Sequence, residues 1–337
     1  MPQLTKTGWF GILNFINGMV APSFLFVSGA AFTFSIINSK NELRKFGKSF
    51  WRKARRIFLI AAAGYSLHFP HFYLSGLIHK TPNQQLIVFY NVDILQCIAI
   101  GLLLLLMLRI IFKNDKLFNF TLWGLLIFVV FSSPLVWSID FGKSIPLFLA
   151  AYFNPKVGSL FPVFPWISFM LAGAQSSNYY LRYRNAGREK VFFVNLFAIA
   201  SGFIFSGHFF LSSLFPESIR LIRPNPLFFL ERLGYVLLAL ILCWYYERNR
   251  GIKNIFILDF SRESLLVYWL HLILIYGAFL SGRSIAQIIN QSFNVFECTI
   301  ITILLIILMT LIAKFWSSIK KYYPGAKNKI ILVLSIL

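Results

Sequence analysis

The sequence predicts an all-α polytopic membrane protein, a transmembrane helix bundle of about nine spans with its N-terminus outside and its C-terminus cytoplasmic. Three observations carry that prediction: apolar runs long enough to cross a bilayer, a shortage of charge, and basic residues gathered in alternate connections. Of the 337 residues, 58% are hydrophobic and only 13% charged, and the mean hydropathy is +0.72. A soluble chain carries about 25% charged residues, so the bilayer is the expected solvent.

Runs of about 20 apolar residues, the length that crosses the hydrocarbon core, occur at 10–37, 57–78, 92–112, 118–137, 161–181, 191–215, 228–246, 264–282 and 295–319. Connections between them are short, so residues 1–337 are expected to form a single integral membrane domain. Residues 145–153 (IPLFLAAYF) are too short to span and are expected to lie in the interface or cap the bundle. Residues 40–56 interleave Phe46, Phe50 and Trp51 with eight basic residues, as an amphipathic helix at the cytoplasmic face would. Ser168, Ala172 and Ser176 recur every fourth position and predict a small-residue face for close helix approach.

Basic residues outnumber acidic ones 32 to 11, a net charge of +21 that in a soluble chain would suggest nucleic acid. Here 24 of them fall in the connections 40–56, 109–116, 182–190, 248–262 and 314–329, and 8 in the alternate set. Cytoplasmic connections carry such an excess, so the charge is a topology signal and no nucleic-acid partner is expected. The same topology leaves an outside N-terminus on a short stub without a signal-peptide pattern, and a further span upstream is expected. Cys97, Cys243 and Cys298 lie far apart inside apolar runs, which points to packing rather than to a disulfide or a metal site.

An ionisable side chain at membrane depth is costly and marks function by default. His68 and His71 sit three apart on one helical face with Pro70 between them, and Asp93 and Gln96 repeat that spacing. His208, the pair Glu231 and Arg232, and His271 complete the set, while the fifth histidine, His79, falls in a loop. All but His271 and His79 fall in the middle or outer half of their spans, so inward-facing helices would form one polar cavity open to the outside. Imidazoles suit proton transfer near neutral pH, whereas HExxH, GxSxG, Walker and Rossmann patterns are absent. Plainer readings are a helix-end ion pair for Glu231 with Arg232 and a helix-to-helix hydrogen bond for His271. The basic segment 40–56 suits either anionic lipid or the phosphates of a nucleotide cofactor.

Five segments, 21–29 (APSFLFVSG), 93–101 (DILQCIAIG), 161–174 (FPVFPWISFMLAGA), 231–235 (ERLGY) and 265–276 (LLVYWLHLILIY), resemble bacterial membrane proteins similar to the catalytic domain of heparan-α-glucosaminide N-acetyltransferase. These in turn resemble the membrane O-acyltransferases that decorate surface polysaccharides. The resemblance runs over nearly the whole chain. It implies a ten- or eleven-helix bundle that takes an acyl group from cytoplasmic acyl-CoA and gives it to a sugar hydroxyl or amine on the far side. It also implies a first helix with Arg and Asp near its start and a His toward its outer end, which this sequence lacks. Asp93, Gln96, Arg232 and His271 occupy motif positions by resemblance, whereas His68, His71 and His208 rest on membrane depth alone.

The combined expectation is a bacterial inner-membrane acyltransferase with acyl-CoA, acetyl-CoA foremost, as co-substrate and no metal. The acceptor is a sugar, a glycan or a lipid-linked sugar; membrane lipid surrounds the chain, and a homodimer is allowed. His68, His71, Asp93 and His271 are the expected catalytic residues, and Gln96, His208, Glu231 and Arg232 the expected substrate-binding ones. Arg52, Arg55 and Arg56 would hold the CoA phosphates. The rival readings are a solute transporter or flippase using the same cavity, and a truncated non-catalytic relative. Transporters often show paired repeats with broken helices, and no repeat is visible here. A reporter fused after Leu337 is expected to label as cytoplasmic and one between Ser138 and Leu160 as external; reversed labelling overturns the orientation.

Overall fold

The computed structural model describes residues 8–37, 40–68, 83–210, 216–250, 261–276 and 294–322. Their regular structure is helical throughout: α1 (Gly8–Ile36), α2 (Lys40–Arg44), α3 (Lys48–Ser66), α4 (Asn83–Tyr90), α5 (Ile94–Ile111), α6 (Asp115–Ser138), α7 (Leu147–Ala150), α8 (Val163–Asn185), α9 (Glu189–Phe209), α10 (Glu217–Arg220), α11 (Pro226–Arg250), α12 (Ser264–Tyr276) and α13 (Val295–Tyr322). Six of these, α1, α5, α6, α9, α11 and α13, are long and apolar enough to cross a membrane. The chain is therefore an all-α integral membrane protein, with six helices among the described residues able to span by length and composition where the apolar runs predicted nine spans.

The other three runs differ for identifiable reasons. The run 57–78 is helical to Ser66, and residues 69–82 lie outside the described residues. The run 264–282 is described as the 13-residue helix α12. The run 161–181 is α8, which has the length but carries Ser168, Gln175, Ser176, Ser177 and Asn178. Ser168, Gln175 and Ser177 are buried, so the polarity of α8 belongs to a helix surrounded by other helices.

The chain divides into two compact units, Met1–Pro70 with Leu77–Asn249, and His71–Gly76 with Arg250–Leu337. In the first, α8 packs against α1, α5, α6 and α9, while α3 packs on α5. In the second, α12 packs on α13, and Lys320 of α13 reaches both carboxylate oxygens of the buried Glu263 at 2.9 and 2.6 Å.

Backbone contact governs the α1–α8 pair. A Cβ at Gly29 would overlap the Met170 carbonyl, and one at Gly173 would overlap the Phe26 carbonyl. Thr33 Oγ1 then donates to the carbonyls of Gly29 at 3.2 Å and Ala174 at 3.4 Å. The contact runs through Met170, Gly173 and Ala174, about one residue's rotation from the predicted small face, of which Ala172 and Ser176 open on a cavity instead. Residues 145–153 do form a cap, with Ala150 and Ala151 buried and α7 packed on α4.

At the basic end of this unit, Arg44 of α2 donates to the carbonyls of Arg109, Ile110 and Phe112, closing the C-terminus of α5. The buried Arg109 pairs with Asp115 at 2.5 Å. Helix packing at this depth tests cleanly on glycine. Gly173→Val should lower the thermal stability in detergent by more than the ~1–3 kcal/mol of ordinary overpacking, because the obstacle is backbone. Gly124→Ala on α6, where nothing lies within 4 Å, should be neutral or stabilising by up to ~1 kcal/mol.

Candidate site at the N-terminus of α5

The short segment between α4 and α5 is held on every side. Val92 N–H donates to Ser159 Oγ at 2.9 Å, and the Val92 carbonyl accepts from Leu160 and Phe161 N–H at 3.1 and 3.0 Å. The Asn91 amide, oriented to suit its neighbours, donates to the carbonyls of Ile87 at 2.9 Å and Val157 at 2.8 Å. Gly158 lies against Asn91 with φ +98°, a conformation and a proximity that only glycine accommodates without strain. Asn154, 1% exposed, donates to the carbonyls of Val136 at 3.1 Å and Ile139 at 2.7 Å and ties this loop to the end of α6.

Clamping of this segment aims Asp93. Its Oδ1 accepts from Ile94 N–H at 2.7 Å, and Gln96 Oε1 accepts from Asp93 N–H at 3.2 Å. Together these form a capping box at the start of α5, which satisfies backbone donors that a membrane helix cannot leave to water. Gln96 is fully buried, with Gly64 of α3 against its amide and its Nε2 without a hydrogen-bond partner. His68, just past the end of α3, comes to the same place. The Asp93 carboxylate is within electrostatic reach of its imidazole, and the backbone of Phe89 and Asn91 faces the ring.

Two residues that spacing did not single out complete the cluster. Tyr65, one turn before His68, shares a 2.7 Å hydroxyl contact with Tyr152 in the cap. Burial and that hydrogen bond push the Tyr152 phenol well above its usual range, so it stays protonated. Tyr65 stands at the same three-residue spacing from His68 that His71 does, which is a readable signal. Tyr152 and Ser159 lie in a connection, where no periodicity marks them.

Arg232 and Glu231 diverge. Arg232 Nη1 donates to the Gly18 carbonyl, its guanidinium lies 4.3 Å from the Phe228 ring centre, and its buried Nε has no partner. Glu231 faces His208 at 4.0 Å across a close approach of Gly207. Helices α1 and α8 run in the same direction, since Thr33 meets Ala174 and Phe34 meets Tyr180. Gly18 lies eleven residues before Gly29, a rise of about 16 Å, and Phe161 lies nine residues before Met170, a rise of about 14 Å. Arg232 and Asp93 therefore occupy the same end of the unit.

The remaining expected residues lie elsewhere. Arg52, Arg55 and Arg56 form an exposed face of α3, with Lys53 beside them bonded to Ser35 at 2.8 Å. Burial and the neighbouring Arg56 and Arg52 charges lower the Lys53 pKa. His271 belongs to the second unit, where its Nδ1 donates to the Val267 carbonyl at 2.9 Å. His71 and His79 lie outside the described residues. Among the described residues no three His, Cys, Asp or Glu side chains gather as a metal site would require. A cavity of about 530 Å³ opens between α6, α8, α9 and α11, and none of the expected site residues lines it.

The decisive comparison is with protein families. The family described as Heparan-alpha-glucosaminide N-acetyltransferase, catalytic, matches residues 2–212. The chain belongs to this family. No curated protein and no solved structure matches it. The family region runs from α1 through α9 and includes His68, Asp93 and Gln96, whereas Glu231, Arg232 and His271 lie beyond it. Membership and apolar helices together make this a membrane acetyltransferase-type domain.

The capping box makes a separable prediction. Asp93→Ala removes the cap and should cost about 0.5–2 kcal/mol of stability, whereas Asp93→Asn, itself a strong N-cap, should cost little. Thermal unfolding in detergent distinguishes the two; equal losses would mean that charge rather than capping holds the helix start.

Proposed function

We propose that this protein is a membrane-embedded acetyltransferase that moves an acetyl group from cytoplasmic acetyl-CoA to an amino or hydroxyl group of a sugar acceptor at the outer face of a bacterial inner membrane. The family match over residues 2–212 carries this reading, and the His68, Asp93 and Gln96 cluster supplies chemistry suited to it. His68 accepts a proton from the acceptor as its nitrogen or oxygen attacks the thioester carbonyl. The C–S bond breaks, the acetyl carbon joins the acceptor, and CoA leaves as a thiolate that takes the proton back from the imidazolium.

Asp93 serves this step through its negative charge, which stabilises the imidazolium while it lasts. Gln96 fixes Asp93. In the Tyr65–Tyr152 pair one hydroxyl donates to the other, leaving a second O–H for the oxyanion that forms on the thioester carbonyl. In this reading Arg232 and the Glu231–His208 pair bind the sugar hydroxyls, and the Arg52, Arg55 and Arg56 face binds the CoA phosphates. His71 and His271 are the alternative bases.

Proteoliposomes given radiolabelled acetyl-CoA and a glucosamine-terminated acceptor should transfer label to the acceptor. His68→Ala should reduce the rate by about 10²–10⁴-fold, and Asp93→Asn should reduce it without a matching loss of stability. A full rate in His68→Ala passes the role to His71 or His271. Acceptor uptake without labelling would instead favour the transporter reading.

A further inference from the structure

We infer that the cavity between α6, α8, α9 and α11 is a binding site for one anionic glycerophospholipid, with an acyl chain along α8 and the phosphate at the basic end of that helix. The site is separate from the His68 and Asp93 cluster and does not rest on the acetyltransferase reading. The cavity measures about 530 Å³ and has a regular construction. Helices α8, α9 and α11 each line it with the same stripe, positions i, i+3, i+4, i+7 and i+11, starting at Ala172, Phe192 and Pro226. Eleven residues of helix rise about 16 Å, close to half of a hydrocarbon core about 30 Å thick. The groove is thus as long as one leaflet is deep.

Most of the wall suits hydrocarbon, and the groove opens to the side. Ile127, Phe131 and Ile199 on its edges are 51%, 64% and 48% exposed, and among the described residues no charged side chain lines it. One end is different. On α8 the stripe finishes at Tyr179 and Tyr183, with Trp123 of α6 lining the same end, and Trp and Tyr gather where hydrocarbon meets headgroups. Just beyond, the connection 182–190 carries Arg182, Arg184, Arg188 and Lys190 against one acid, Glu189. Tyr179 Oη accepts from Trp123 Nε1 at 3.4 Å, and Tyr183 Oη accepts from Asn195 Nδ2 at 3.4 Å, so each phenol O–H is left to donate. Arg182 lays its guanidinium 5.5 Å from the Tyr179 ring centre, whereas Arg184 is turned to Glu189 at 3.6 Å. Two O–H donors and an exposed guanidinium at one mouth make a receptor for a phosphate.

Gln175, one turn before Tyr179 on the same stripe, fixes the class of lipid. It lines the groove, is 2% exposed, and has no partner for either its Oε1 or its Nε2. An amide buried among apolar groups without hydrogen bonds is costly, and a plain alkyl or polyprenyl chain would leave it so. In a glycerophospholipid an ester carbonyl lies about five bonds from the phosphorus, about 6 Å at ordinary bond lengths. Four residues of helix also rise about 6 Å. With the phosphate at Tyr179 and Arg182, an ester carbonyl therefore falls at the level of Gln175, where Nε2 can donate to it. Oε1 takes a water drawn in with the hydrated ester region. The positive charge around Arg182 then selects an anionic headgroup over a zwitterionic one, and a ligand held by four packed helices stabilises the folded chain.

The test is native mass spectrometry and thermal unfolding of the full chain in detergent, with dioleoyl lipids that differ only in headgroup: phosphatidylglycerol, phosphatidylcholine and diacylglycerol. Phosphatidylglycerol should be retained at one per chain, raise the unfolding temperature, and bind at least about fivefold more tightly than phosphatidylcholine, while diacylglycerol is lost. Arg182→Gln, at an exposed position, should erase that preference. Lys45→Gln, exposed in the connection between α2 and α3, should leave it unchanged. Gln175→Leu should weaken both phospholipids about fivefold, the worth of one hydrogen bond, yet raise the unfolding temperature of the lipid-free protein, because it removes an unpartnered amide. Equal affinity for the two phospholipids, retention of diacylglycerol as strong as that of phosphatidylglycerol, or full affinity in Gln175→Leu overturns the inference. Equal losses from Arg182→Gln and Lys45→Gln overturn it too, since they mark attraction to the basic surface as a whole. None of these readouts uses acetyl transfer, so the acetyltransferase reading stands or falls apart from them.

Discussion

The arrangement of the first unit depends on two helix backbones in near contact. Where α1 crosses α8, Gly29 lies on the Met170 carbonyl and Gly173 on the Phe26 carbonyl. In lipid there is no hydrophobic gain from joining two apolar helices, so association comes from close packing and polar contacts between them. Glycine at both sides of the crossing supplies the first and Thr33, donating to Ala174, the second. With one face of α8 committed to α1, its other faces are assigned by rotation. Gly101 of α5 receives Met170 and Ile167, and Ala172, Gln175 and Ser176 turn to the cavity.

Some of this was readable in the sequence and some was not, and the division has a physical basis. Solvent and element type follow from summed quantities, the shortage of charge and the length of apolar runs, which tolerate local exceptions. A span count read from apolar runs is less direct, because a bundle's interior helix need not be apolar. Among the described residues, α8 buries Ser168, Gln175 and Ser177 and so is less apolar than the six helices that can span by composition. The pairing of Asp93 with Gln96 was visible as a three-residue spacing, but that spacing fits a shared catalytic face and a capping box equally well. Only the extended backbone at Asp93 separates the two. Tyr152 and Ser159 act through a connection whose course depends on Asn154 and Gly158, and no periodicity announces such contacts.

Asp93 also shows why the start of α5 is a suitable place for chemistry. Four N–H groups at a helix start lack partners within the helix, and at membrane depth none can rely on water. A carboxylate there satisfies such donors and lies at the positive end of the helix dipole. The same geometry that completes the helix thus supplies a fixed negative charge beside His68. Holding that charge takes the hydrogen bond that Val92 N–H donates to Ser159 and those that its carbonyl accepts from Leu160 and Phe161. Stability and a candidate catalytic charge are consequently invested in one residue, and a substitution that keeps the cap but not the charge separates them.

Helix α8 links this cluster to the cavity. Its N-terminal approach, Leu160 and Phe161, grips the segment before α5, and from eleven residues past Phe161 Ala172 to Tyr183 form one wall of the groove. The α1 crossing at Met170 and Gly173 lies nine or more residues past Phe161 and borders the wall at Ala172. A helix pinned by backbone contact at that point cannot slide or rotate without breaking the crossing, since a shift of even one residue would bring a Cβ where only glycine fits. The distance from Gln175 to the Asp93 clamp is thereby held constant. The glycine crossing, which borders the cavity at Ala172, is what sets that distance.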